Sequence, residues 1–80
     1  MKLSQFIQQY RNDWKHLEKL IVDMPRNRSY PSVKEFQRVY QKVSRQLSYS
    51  QTFFPDEEVT FYLNQLLAKA HNILYQSQQS

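Results

Sequence analysis

Apolar residues recur early in the chain at Leu3, Ile7, Tyr10, Trp14, Leu17, Ile21 and Met24. The steps alternate between four and three, which lines these side chains along one face of a helix. Phe6 and Leu20 widen that stripe. Ser4 is the expected N-cap. Pro25 ends the run, because the residue before a proline is pushed out of the α region.

A second stripe passes through Val33, Phe36, Tyr40, Val43, Leu47 and Ser50, with Val39 beside it, and fades at Phe53 and Phe54. Residues 25–32 read as the connector before it. Ser32 and Glu35 have the S-x-x-E spacing of a capping box, in which each side chain satisfies a free N–H of the first turn. The third stripe is Val59, Leu63, Leu66, Ala70 and Ile73, flanked by Tyr62, Leu67 and Leu74. Pro55 separates it from the second. Asp56 is its expected N-cap, and Glu57 and Glu58 place negative charge at the positive end of the helix dipole. The closing QSQQS is polar and reads as a frayed end.

These patterns predict helices over about residues 5–24, 33–53 and 57–76. Each is roughly 20 residues, or about 30 Å long. Matched lengths and short connectors favour antiparallel neighbours. The expected fold is all-α, an antiparallel up-down-up three-helix bundle forming a single domain over residues 1–80. Trp14, Tyr40, Leu47, Leu63, Leu66 and Ala70 are expected to hold it together.

Composition narrows the chemistry. The chain has neither cysteine nor glycine, which removes disulfides, thiolate metal sites and glycine-rich phosphate loops. No run of about 18 apolar residues occurs that would span a bilayer, and the first residues lack the apolar core of a signal peptide. Net charge is +4 and unevenly spread. Residues 1–54 hold ten Lys/Arg against four Asp/Glu, while residues 55–80 hold Lys69 against Asp56, Glu57 and Glu58.

Two basic stripes are candidates for contact with an anionic surface: Arg11, Lys15 and Lys19 on the first helix, and Lys34, Arg38, Lys42 and Arg45 on the second. They suit phosphates or acidic lipid headgroups. Solvated polar faces relieved by Asp13, Glu18, Asp23 and Glu35 account for the same residues. Sequence-specific DNA recognition is disfavoured, since there is no short-turn helix-turn-helix with a polar recognition helix. His16 and His71 have no local ligand spacing, so no metal or other cofactor is expected. Ser44, Ser48 and Ser50 lack a nucleophile elbow. A non-enzymatic chain is the expectation.

The third helix carries a second stripe opposite its core face: Phe61, Asn64, Ala68, His71 and Tyr75, at steps 3, 4, 3, 4. A helix with apolar groups on two sides needs two packing partners. This stripe is therefore the candidate docking side. Its occupant is a partner protein, a second copy, or another part of the same polypeptide; exposed aromatics without any partner are the plain alternative.

The segment YLNQLLAKAHNILY, residues 62–75, resembles the stage II sporulation protein M family of bacterial membrane proteins, through Leu63, Asn64, Leu66, Lys69, Ala70, His71, Leu74 and Tyr75. The run VYQKVSRQLSYSQ is similar through Tyr40, Ser44 and Leu47, and DWKHLEKLI through Trp14, Leu17 and Leu20. Gln46 stands where that family usually has Asp, Ser48 and Ser50 where it has Ala, and Gln51 where it has Arg. The resemblance implies an excised N-terminal region on the cytoplasmic side of a bacterial cell membrane, itself soluble, followed in the whole protein by membrane spans. It implies a docking role toward that membrane portion or another membrane-associated protein. The family's namesake acts in sporulation engulfment beside peptidoglycan-degrading partners. The other reading is a free-standing basic bundle that binds nucleic acid or anionic lipid.

Overall fold

The computed structural model describes residues 1–24 and 29–76. The expected break at Pro25 and residues 77–80 of the expected frayed end lie outside the described residues, while Gln76, the first residue of that expected end, is the last of the third helix. Three helices follow in order: α1 Leu3–Asp23, α2 Tyr30–Phe53 and α3 Glu58–Gln76. They form a rod with extents of 41 × 20 × 16 Å.

Cross-helix contacts fix the directions. Phe6, near the start of α1, stacks on Tyr49 near the end of α2, while His16 meets Glu35 near the start of α2. Ser50 of α2 touches Thr60 of α3. Trp14 and Glu18 of α1 both meet Tyr62 of α3. Thus α1 and α2 are antiparallel, α2 and α3 are antiparallel, and α1 runs alongside α3. The all-α up-down-up bundle is the observed architecture.

The core is built from Phe6, Trp14, Leu17 and Met24 of the α1 segment, Phe36, Val39 and Val43 of α2, and Leu63, Leu66, Leu67 and Ala70 of α3. Tyr40 and Leu47, expected to anchor the bundle, pack against this core but stay half-buried. Phe6, which widens the first stripe in the sequence, is fully buried. Its ring lies 5.4–5.6 Å from those of Tyr10, Trp14, Tyr49 and Phe54. The reason is geometric. Helix α1 sits over the groove between two partners, so its buried arc is wider than a single 4-3 line and includes the Phe6 side.

All three expected N-caps are displaced. Helix α1 starts at Leu3 with Lys2 as its cap residue, so Ser4 lies inside the first turn. The Lys2 backbone N–H donates instead to the Gln5 side chain at 3.3 Å. Helix α2 starts at Tyr30 with Ser29 as its cap residue. Pro31 fits this first turn because its missing N–H would have no partner there and its φ is already helical. The Ser32–Glu35 capping box therefore does not form. Ser32 bonds the Ser29 hydroxyl at 2.9 Å, and Glu35 turns to Arg38 at 2.6 Å. Helix α3 starts at Glu58, two residues past Asp56. The α2–α3 corner is closed by Thr60, whose hydroxyl donates to the Phe54 carbonyl at 2.6 Å and accepts from the buried Ser50 hydroxyl. Tertiary packing at the corner sets this boundary, where local capping chemistry would have begun the helix earlier.

Candidate functional site

Helix α3 presents Leu63, Leu66, Leu67 and Ala70 inward. Steps of 100° per residue then place Phe61, Asn64, Ala68, His71 and Tyr75 outward, and all five are exposed. Phe61 is 58% exposed and Tyr75 53%. The His71 and Tyr75 rings lie 4.3 Å apart, one turn from each other along the helix. This contact restrains the Tyr75 ring, which reduces the entropy lost when the ring is covered. The structure thus brings the five predicted residues together as one unbroken surface strip.

That strip is uncharged. Between Glu58 and Gln76 the sole Lys, Arg, Asp or Glu is Lys69, and it faces the other way. Lys69 lines an open groove of about 290 Å³ between α1 and α3, with Glu18, Ile21, Val22, Tyr62 and Leu66. In that groove the Tyr62 phenol donates to Glu18. Burial, and then the neighbouring Glu18 carboxylate, hold the phenol's pKa above the ordinary tyrosine value.

The basic residues are exposed but do not merge into one surface. Arg11 and Lys15 lie seven and three residues before Glu18, on the flank of α1 that turns to α3, and Lys19 is exposed beyond them. Of the α2 cations, Lys42 and Arg45 lie toward α1, while Lys34 and Arg38 have their partners within α2. Lys42 reaches Asp13 at 3.4 Å, and Arg38 forms a forked pair with Glu35 at 2.6 and 3.4 Å. Lys34 stands 5.6 Å from the ring centre of Tyr30. Arg45 and Lys42 edge a groove floored by Tyr10 and Tyr49. The hydrogen bond from Arg38 lowers the Glu35 pKa, outweighing the opposing effect of desolvation. Asp13 and Glu35 thus sit on the seam between the helices and partly neutralise the second stripe.

Two buried polar pairs escaped the sequence reading. The Trp14 indole N–H donates to the Gln46 Oε1 at 2.7 Å, and the Gln46 amide donates to Asp13 at 2.9 Å. Gln46 is only 7% exposed, and both ends of its amide are satisfied. The signal was present in the spacing. Gln46 falls three residues after Val43 and four before Ser50, on the same arc, opposite a lone tryptophan that needs an acceptor. Ser50 and Thr60 form the second pair. Both pairs hold helices together, and Gln46 also lines the groove edged by Lys42 and Arg45.

Among the described residues no three His, Asp or Glu side chains gather as a metal ligand set. No helix among them is long and apolar enough to cross a membrane. What the surface offers is an uncharged aromatic strip on an all-α bundle. A family model described as Domain of unknown function (DUF8413) matches residues 4–76, and the chain belongs to that family. The match spans all three helices, the outer strip of α3 included. No curated protein and no solved structure matches the chain.

Proposed function

We propose that the chain is a non-enzymatic docking domain whose working surface is the outer strip of α3. The observation that carries this reading is the strip itself: two half-exposed aromatics, Phe61 and Tyr75, on a face without formal charge, in a molecule whose other outer faces are studded with Lys and Arg. Aromatic enrichment with charge depletion is the compositional mark of an interface core. The sequence resemblance to the stage II sporulation protein M family supports a setting at the cytoplasmic side of a bacterial membrane. There the exposed cations of one stripe or the other would face the anionic leaflet, at about 1 kcal/mol per Lys/Arg near the surface. Sporulation engulfment is the process that the same resemblance favours.

The test is site-specific photocrosslinking from Asn64 in bacterial membranes, in the polypeptide as its gene encodes it. The expected result is a discrete adduct that disappears in the Phe61→Ala/Tyr75→Ala double variant while helix content is unchanged. Adduct yield should hold steady from about 50 to 200 mM salt, a range over which phosphate-driven binding falls steeply. An adduct that survives the double variant would overturn the assignment of this face. Salt-sensitive membrane or nucleic-acid binding in its place would favour the basic stripes.

A further inference from the structure

We propose that the occupant of the α3 strip is a second copy of this chain, paired antiparallel about a two-fold axis at Ala68. This rests on the reading of the strip as a docking side and names its partner. Three observations on α3 converge. The first is register. Phe61, Asn64, Ala68, His71 and Tyr75 repeat at 3, 4, 3, 4, the spacing of a two-helix seam. Phe61 and Tyr75 stand seven residues either side of Ala68. In an antiparallel pair centred there, Phe61 of each copy meets Tyr75 of the other, and Asn64 comes opposite the end of the strip that holds His71 and Asn72. The small Ala68 pair at the centre lets the backbones approach, and the large rings close both ends. Such self-complementarity is what an isologous interface requires of a single patch.

Charge is the second observation. Each copy carries +4, with its positive excess in residues 1–54. Pairing through α3 joins the two copies on the face with no formal charge and keeps the basic flanks of α1 and α2 apart. Approach through the basic stripes of α1 or α2 would bring surfaces with an excess of positive charge together. Size is the third. From Phe61 to Tyr75 the strip is about 21 Å long and roughly one helix wide. A contact of that size buries about 1,000 Å² or less in total, the range of reversible association. The dimer is therefore expected to form and dissociate with concentration.

The chain has no cysteine, so single cysteines report the geometry cleanly. Under mild oxidation, Ala68→Cys should cross-link to its own copy. Phe61→Cys and Tyr75→Cys should each fail alone, because identical positions lie about 21 Å apart across the axis, far beyond disulfide reach. Mixed together, these two variants should cross-link. The unmodified chain should move from its 9.8 kDa monomer mass toward twice that between about 5 and 500 µM. The Ala68→Glu variant should stay monomeric with unchanged circular dichroism, since position 68 is exposed. Equal cross-linking of all three single variants would overturn the antiparallel pairing. A monomer at every concentration, with no cross-link at position 68, would overturn self-association. In that last case a surviving Asn64 photoadduct to a different protein leaves the docking surface standing, and loss of that adduct too removes both readings.

Discussion

Replacing Gln46 by Leu removes the acceptor of the Trp14 indole N–H and the amide that donates to Asp13. The two losses differ in cost. Asp13 keeps Lys42 at 3.4 Å and a partly exposed side chain, so water and the ammonium replace much of what it loses. Trp14 is only 4% exposed, and its N–H would be left without a partner. An orphaned buried donor costs about 1–3 kcal/mol, partly offset by the apolar surface that Leu buries in place of an amide. The net expectation is a loss of about 2 kcal/mol. A domain of this length has a total stability of about 4–12 kcal/mol. The midpoint of thermal unfolding should therefore fall by about 8–16 °C. Trp14→Phe removes the donor instead and vacates space. In the double variant neither polar group remains to be orphaned. Its destabilisation should fall short of the sum of the single changes by about 1–2 kcal/mol. Urea unfolding followed by far-ultraviolet circular dichroism measures all four corners of this cycle. A Gln46→Leu variant as stable as the parent, or single effects that add within about 0.5 kcal/mol, would refute the assignment of this bond as the polar lock between α1 and α2.

Thr60→Val keeps the shape but removes the hydroxyl that accepts from Ser50 and donates to the Phe54 carbonyl. It should cost about 1–2 kcal/mol, read by urea unfolding, and should speed hydrogen exchange first at the α2–α3 corner. The Glu35–Arg38 pair predicts the sign of one pH effect. The Glu35 pKa is lowered in the folded chain, so its contribution is present above the usual carboxylate range and is lost as pH falls through the depressed folded value. Glu35→Gln should flatten that acid limb of the stability curve and leave neutral pH nearly unchanged, since the pair is exposed. An acid limb identical in parent and variant would remove Glu35 from the account.

Much of the fold was legible along the chain because helix periodicity is a local property. The 4-3 spacing of apolar residues depends only on 3.6 residues per turn, so it named three helices, their order and the inward residues Trp14, Leu17, Leu63, Leu66 and Ala70 before any contact was known. The outward strip from Phe61 to Tyr75 was legible for the same reason. Helix starts were not, because they are decided by competition. The Ser32–Glu35 box lost to Pro31 in the first turn and to the attraction of Arg38, and Asp56 lost to the Thr60 corner.

The sequence by itself determined which face of each helix is apolar and that the last helix has a second such face. Only the tertiary structure decided that Phe6 sits at the centre of the aromatic cluster, that Gln46 lies buried between Trp14 and Asp13, and that the two basic stripes turn to different flanks. Those outcomes depend on how each helix is rotated against two neighbours at once. A one-dimensional pattern fixes the angle of a residue around its own axis, and the angle between axes is set by the packing of all three.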